Sequence, residues 1–173
     1  MLLEGVEELT MRVEMLLRGR DFAMVKHAQK DRQSPNQTHR AAQFAVASEL
    51  CKHGYEVAVT MGNHPVIDLM VVSPKGVPFL IDVIGQYKRN FWPVRLRKAR
   101  GRLFYVLAFV PSVGHNRFFI LAQEAVEKEI ERGLQHTVDH RKARGLDGER
   151  LSLPNVGWGF AKNHEGAWKV LPE

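Results

Sequence analysis

The chain has 173 residues, 45% hydrophobic and 25% charged, with a formal net charge of +6 and a pI near 9.7. That is enough for one domain with a real core, and the composition excludes fibrous and disordered classes. Cys51, the only cysteine, rules out an intramolecular disulfide and a cysteine-cluster zinc site and fits a reducing cytoplasm. No apolar run approaches bilayer length and the N-terminus carries no signal-peptide core, so a soluble cytoplasmic protein with no membrane partner is expected. The basic balance favours a polyanion such as nucleic acid.

Residues 2–18 read as a helix. Leu2, Val6, Leu9, Val13 and Leu16 recur at spacings of 4, 3, 4 and 3, a heptad seam that suits a homodimer. This helical extension covers 1–27. Residues 28–37 hold no apolar side chain beyond Ala28 and Pro35 and read as a linker, leaving 38–173 as the main domain. A second helix is expected from Thr38 to His53, stopped by Gly54, with Ala42, Val46 and Leu50 on its apolar stripe. Strands follow at 55–60, 65–72, 78–84, 103–110 and 117–121. The run 103–110 is nearly continuous in apolar residues and belongs in the middle of a sheet covered on both faces. A last helix is expected over roughly 122–133. Helix, strands and helix together give an α/β fold built on one mixed sheet.

Two strands carry a carboxylate where apolar residues would be expected. Asp68 follows Val66-Ile67, and Asp82 lies within Leu80-Ile81-Asp82-Val83-Ile84, across a turn at Lys75-Gly76. An ionised carboxylate in such a run is costly unless paired, and a divalent cation is the usual partner of two. Each aspartate alone is explained as well by a bond to backbone or to an arginine; together they suggest a metal-site ancestry. His39, His53 and His64 read as surface or capping residues, since none forms a spaced pair of ligands. Gly62 and Gly85 read as turn and bulge residues.

The order of helix, strand, Asp-bearing strand, hairpin and second Asp-bearing strand resembles the PD-(D/E)xK nuclease superfamily, with likeness to small bacterial endonuclease-like domains and archaeal Holliday-junction resolvases. The residues carrying the resemblance are Gly54-Tyr55 after the helix, Gly62 to Asp68, and Phe79 to Val83, with Phe91-Trp92 and Leu103–Val110 continuing it. It implies a restriction-endonuclease-like core, a mixed central sheet flanked by helices, here with an N-terminal helical appendage. It also implies hydrolysis of phosphodiesters with Mg2+ or Mn2+, held by Asp68, Asp82 and the Val83 carbonyl, with Gln43 or Glu49 beside them.

Two departures bear on that activity. Gln43 stands where the family's helix glutamate falls, and Ile84 where its lysine falls. Glutamine keeps an oxygen but loses the charge; isoleucine can neither position hydroxide nor neutralise a phosphate. Lys88 shares the strand parity of Ile84 but lies about 13 Å further along, beyond reach unless Gly85 makes a bulge. Lys52 and Lys75 are the other substitutes.

Downstream, Lys88, Arg89, Arg95, Arg97, Lys98, Arg100 and Arg102 carry seven positive charges with no acidic residue among them. A solvated surface would explain them; a surface tracking the DNA backbone would suit them as well. His140 to Arg144 could extend it. The expectation is a DNA-binding protein on a nuclease scaffold; the alternative is a catalytically inactive dimeric adaptor for nucleic acid or protein. A small-molecule enzyme finds no cofactor motif to support it.

Overall fold

Ser34 opens the first helix by accepting a hydrogen bond from the Gln37 N–H, while the Gln37 side chain accepts from the Ser34 N–H. This reciprocal capping box, with Pro35 as the first helical residue, fixes the start of α1 (Pro35–Lys52) in a computed structural model of the chain. The structure describes residues 34–60, 67–96, 102–147 and 153–173. The seam of Leu2 to Leu16 lies outside the described residues, as do Gly62, His64, Arg97, Lys98 and Arg100. The last four residues read as linker, 34–37, are instead the cap and first turn of α1; the Ser-x-x-Gln signature is the reason. Gly54, at φ 83°, ends the helix in a conformation that a side chain would strain.

Five strands form the main sheet in the order β1 (Glu56–Val59), β2 (Leu69–Val72), β3 (Pro78–Gln86), β5 (Leu103–Phe109) and β6 (Arg117–Ala122). Neighbours are antiparallel except β3 and β5, which run parallel from Leu80↔Leu103 to Gln86↔Phe109. The protein is thus α/β with a mixed sheet, and the apolar run of β5 is central to it. A separate antiparallel pair joins β4 (Trp92–Pro93) to β7 (Asn155–Val156). The uninterrupted β3–β5 register passes through Gly85↔Ala108, so Gly85 is not a bulge. A Cβ on Gly85 would come within 2.6 Å of Ala42 Cβ and 2.9 Å of the Thr38 carbonyl oxygen. Glycine lets α1 lie directly on β3.

Alternate residues of the strands feed two apolar layers. Phe79, Ile81 and Val83 of β3 join Ala42, Val46 and Leu50 of α1, with Val106 and Leu171. On the opposite face Leu103, Tyr105 and Leu107 meet Trp92, Phe119, Val126, Ile130 and Val156, with Leu80 and Ile84 packed against them. Val126 and Ile130 belong to α2 (Gln123–Ala143), which ends ten residues later than expected. Its second half is polar because it is half-solvated, and Gly133 does not interrupt it. The basic residues His140, Arg141 and Lys142 therefore occupy its last turn, where the helix dipole favours positive charge. Among the described residues no helix is long and apolar enough to cross a membrane.

Candidate functional site

Asp68 sits in the bend just before β2, its N–H donating to the Ile81 carbonyl at 3.2 Å, which sets it beside Asp82 on β3. The β2–β3 register, Leu69↔Ile81, makes the two aspartates cross-strand neighbours. Both are buried, at 9% and 6% exposure. Their carboxyl groups hydrogen-bond to each other.

The helix supplies the rest. Gln43 Nε2 donates to Asp68 Oδ1 at 2.7 Å, and His39 Nε2 approaches the same oxygen at 3.1 Å. The Val83 N–H donates to Asp68 Oδ2 at 2.7 Å. Arg40 Nη1 in turn donates to Gln43 Oε1 at 3.1 Å, orienting the amide with its nitrogen towards the carboxylate. Burial pushes the Asp68 pKa up, but the His39 hydrogen bond, the Val83 N–H, the charge on His39 and the bond to Asp82 outweigh it and hold the group below its ordinary value. His39 moves the other way: its bond to Asp68 raises it against the cost of burial, helped by the charges of Asp68 and Asp82.

The structure thus brings Gln43, Asp68, Asp82 and the Val83 backbone together and leaves Glu49 apart. Glu49 is six residues along α1, about 9 Å by helical rise, and binds Lys52 Nζ at 2.7 Å. Ile84 faces the same side of β3 as Asp82 but packs into the second apolar layer. Two of the three candidate lysines are engaged with acids elsewhere. Lys52 is held by Glu49, Lys75 by Glu173 at 3.2 Å, and Lys88 lies beyond the end of β3 with its ammonium 5.5 Å from the Tyr87 ring. Beside the carboxyl pair stands His39, a residue expected as a surface or capping histidine. Its signal is the spacing His39-x-x-x-Gln43, which puts both on one helical face.

Hard oxygen ligands suit Mg2+ or Mn2+, and Asp68 and Asp82 meet closely enough to share one. The third position fits less well, because Gln43 presents its nitrogen and its oxygen is taken by Arg40. Among the described residues no three His, Cys, Asp or Glu side chains converge as a metal-binding group.

The described downstream cations lie towards opposite ends of the sheet. Lys88 and Arg89 follow the C-terminal end of β3, whereas Arg102 precedes β5 beside Leu80, six residues of strand or about 20 Å away. After Arg89 the chain buries Trp92 and Val94 in the layer of Leu103 and Tyr105 and leaves Arg95 exposed. Arg89 lies 5.1 Å from the Trp158 ring, which also stacks on Trp92, so part of its charge is engaged within the fold. The fold and site define an α/β protein with a mixed five-stranded sheet and a buried, hydrogen-bonded carboxyl pair at the β2–β3 border. No protein-family model, curated protein or solved structure matches the chain.

Proposed function

We propose that the protein binds DNA on a PD-(D/E)xK nuclease scaffold, with metal-dependent phosphodiester hydrolysis as that scaffold's reaction. The observation carrying this reading is the meeting of the Asp68 and Asp82 carboxyls across neighbouring strands, with Gln43 of α1 against them. The antiparallel run β1–β2–β3 followed by a parallel β5 agrees with the core the resemblance implies. A bound Mg2+ or Mn2+, held by Asp68, Asp82 and the Val83 carbonyl, would polarise a phosphate and acidify water. Around it His39 would place positive charge at the pair, and Arg40 would keep the Gln43 amide in position.

The adaptor reading has its own support. Both Asp68 oxygens are already satisfied by protein donors, and Ile84 is engaged in packing. Such a protein would bind without cutting, and could pair through the 2–18 seam.

Cleavage of branched, single-stranded and duplex DNA with Mg2+ and Mn2+ separates the two. The nuclease reading expects slow cleavage, abolished by Asp82→Ala and raised by Ile84→Lys, because an ammonium there stabilises charge on the phosphate, an effect worth roughly 100-fold in other active sites. Cleavage that survives Asp82→Ala would place the chemistry elsewhere. Binding without cleavage in both the parent and Ile84→Lys favours the adaptor.

A further inference from the structure

The β5–β6 half of the second sheet face is covered by α2 and the β4–β7 pair, which also pack on Leu80 and Ile84 of β3, whereas the β1–β2 side beyond them carries an exposed apolar side chain. There Ala58, Met70 and Leu80 form one row across three strands, and Met70 is 55% exposed. They line a groove of about 600 Å³, a size that takes a nucleotide-sized ligand. Its position gives it meaning. Leu80 precedes Asp82 by two residues and Met70 follows Asp68 by two, so the row lies about 7 Å from the carboxyl pair. Two charges stand at the rims, Glu56 on β1 and Arg102 before β5, about 14 Å apart by strand spacing and without an ion pair among the described residues.

An intact duplex offers this groove phosphates and recessed base edges, neither of which suits an apolar floor. A base out of its stack offers a flat, apolar face. Met70 is a fitting platform, since a thioether packs well against an aromatic ring. Arg102 can take the phosphate of the same nucleotide, and Glu56 can accept from an exocyclic amino group.

Resting on the DNA-binding reading above, we infer that this groove receives an unpaired nucleobase, so that the substrate class is DNA carrying single-stranded or extruded nucleotides rather than continuous duplex. Adenine, cytosine and guanine carry an amino group for Glu56 and thymine does not, so thymine is the least favoured occupant.

The test is binding of the full chain to a single-stranded oligonucleotide and to the duplex of the same sequence, at one salt concentration, with 2-aminopurine as a reporter base. The parent protein should prefer the single strand and change the reporter's emission. Met70→Asp, an exposed position that does not threaten folding, should lower the single-strand to duplex affinity ratio about tenfold and leave duplex binding unchanged. Glu56→Gln should narrow the difference between oligo-dC and oligo-dT. A ratio that Met70→Asp leaves unchanged overturns the groove assignment while DNA binding stands. Absence of binding to either DNA overturns both readings. A dimer in light scattering that Met70→Asp dissociates would give the groove to a second copy of the chain and overturn the proposal.

Discussion

His39 and Asp68 stabilise the fold only while the first is protonated and the second ionised. The His39 pKa is raised above its ordinary 6.5, so its contribution is complete below that pH and is lost as pH rises through the folded-state value. The Asp68 pKa is lowered below its ordinary 3.8, so its contribution is complete above that pH and is lost as pH falls through the folded-state value. Thermal melts should therefore show the pair's effect as a plateau between pH 3.8 and 6.5 that falls away on both sides. Subtracting the curve of His39→Gln from the parent should leave a difference that disappears above the plateau; a flat difference would mean that His39 does not exchange its proton with folding. The carboxyl pair is legible in the sequence because apolar runs make a lone aspartate conspicuous. His39 is legible only as a residue sharing a helical face with Gln43, because its partner is 29 positions away in the chain and only the docking of α1 brings the two together.

At the level of elements, the contact of α1 with β3 positions the site, and Gly85 is what permits it. In Gly85→Ala the new methyl meets a backbone carbonyl that cannot swing aside as well as Ala42. Overpacking of this kind costs about 1–3 kcal/mol, and the Gln43–Asp68 bond should loosen with it. Calorimetry should show a lower Tm, and adding Ala42→Gly should recover only part of the loss, since the Thr38 oxygen remains 2.9 Å away. An undiminished Tm in the single variant would mean that α1 rides higher on the sheet. Gly133 is the opposite case: it lies inside α2 with nothing within 4 Å of a prospective Cβ. Gly133→Ala should stabilise by about 0.5–1 kcal/mol, read as a Tm increase. Element order and type followed closely from periodicity and caps. Element length did not, because the second half of α2 has few apolar side chains to mark it and the polar surface of a helix looks like a loop in composition.

For the whole molecule the question is how positive charge is laid out. A run of cations in sequence suggests one continuous surface, yet the parallel crossover sends its ends to opposite ends of the sheet, with Arg95 exposed on the path between. No local pattern encodes that turn; it follows from the parallel pairing of β3 with β5. If this path carries DNA, neutralising Arg95, Arg97 and Lys98 together should weaken binding to all duplex sequences alike. The slope of log affinity against log salt should then fall by about 0.9 for each phosphate that is no longer neutralised. An unaltered slope in a titration of the triple variant would move the DNA face elsewhere on the molecule.

The two apolar layers share one dependence. Val156 and Ala161 complete the layer under α2, and Leu171, with Trp168 against it, completes the layer under α1. During synthesis neither layer can close until residues 156–171 have emerged from the ribosome. A nascent chain already long enough to form every strand of the main sheet still displays unfinished apolar surface on both sides of it. Folding of this domain therefore waits on the synthesis of that stretch, and ribosome-bound chains stalled after α2 should be far more open to protease than chains stalled after Leu171 has emerged.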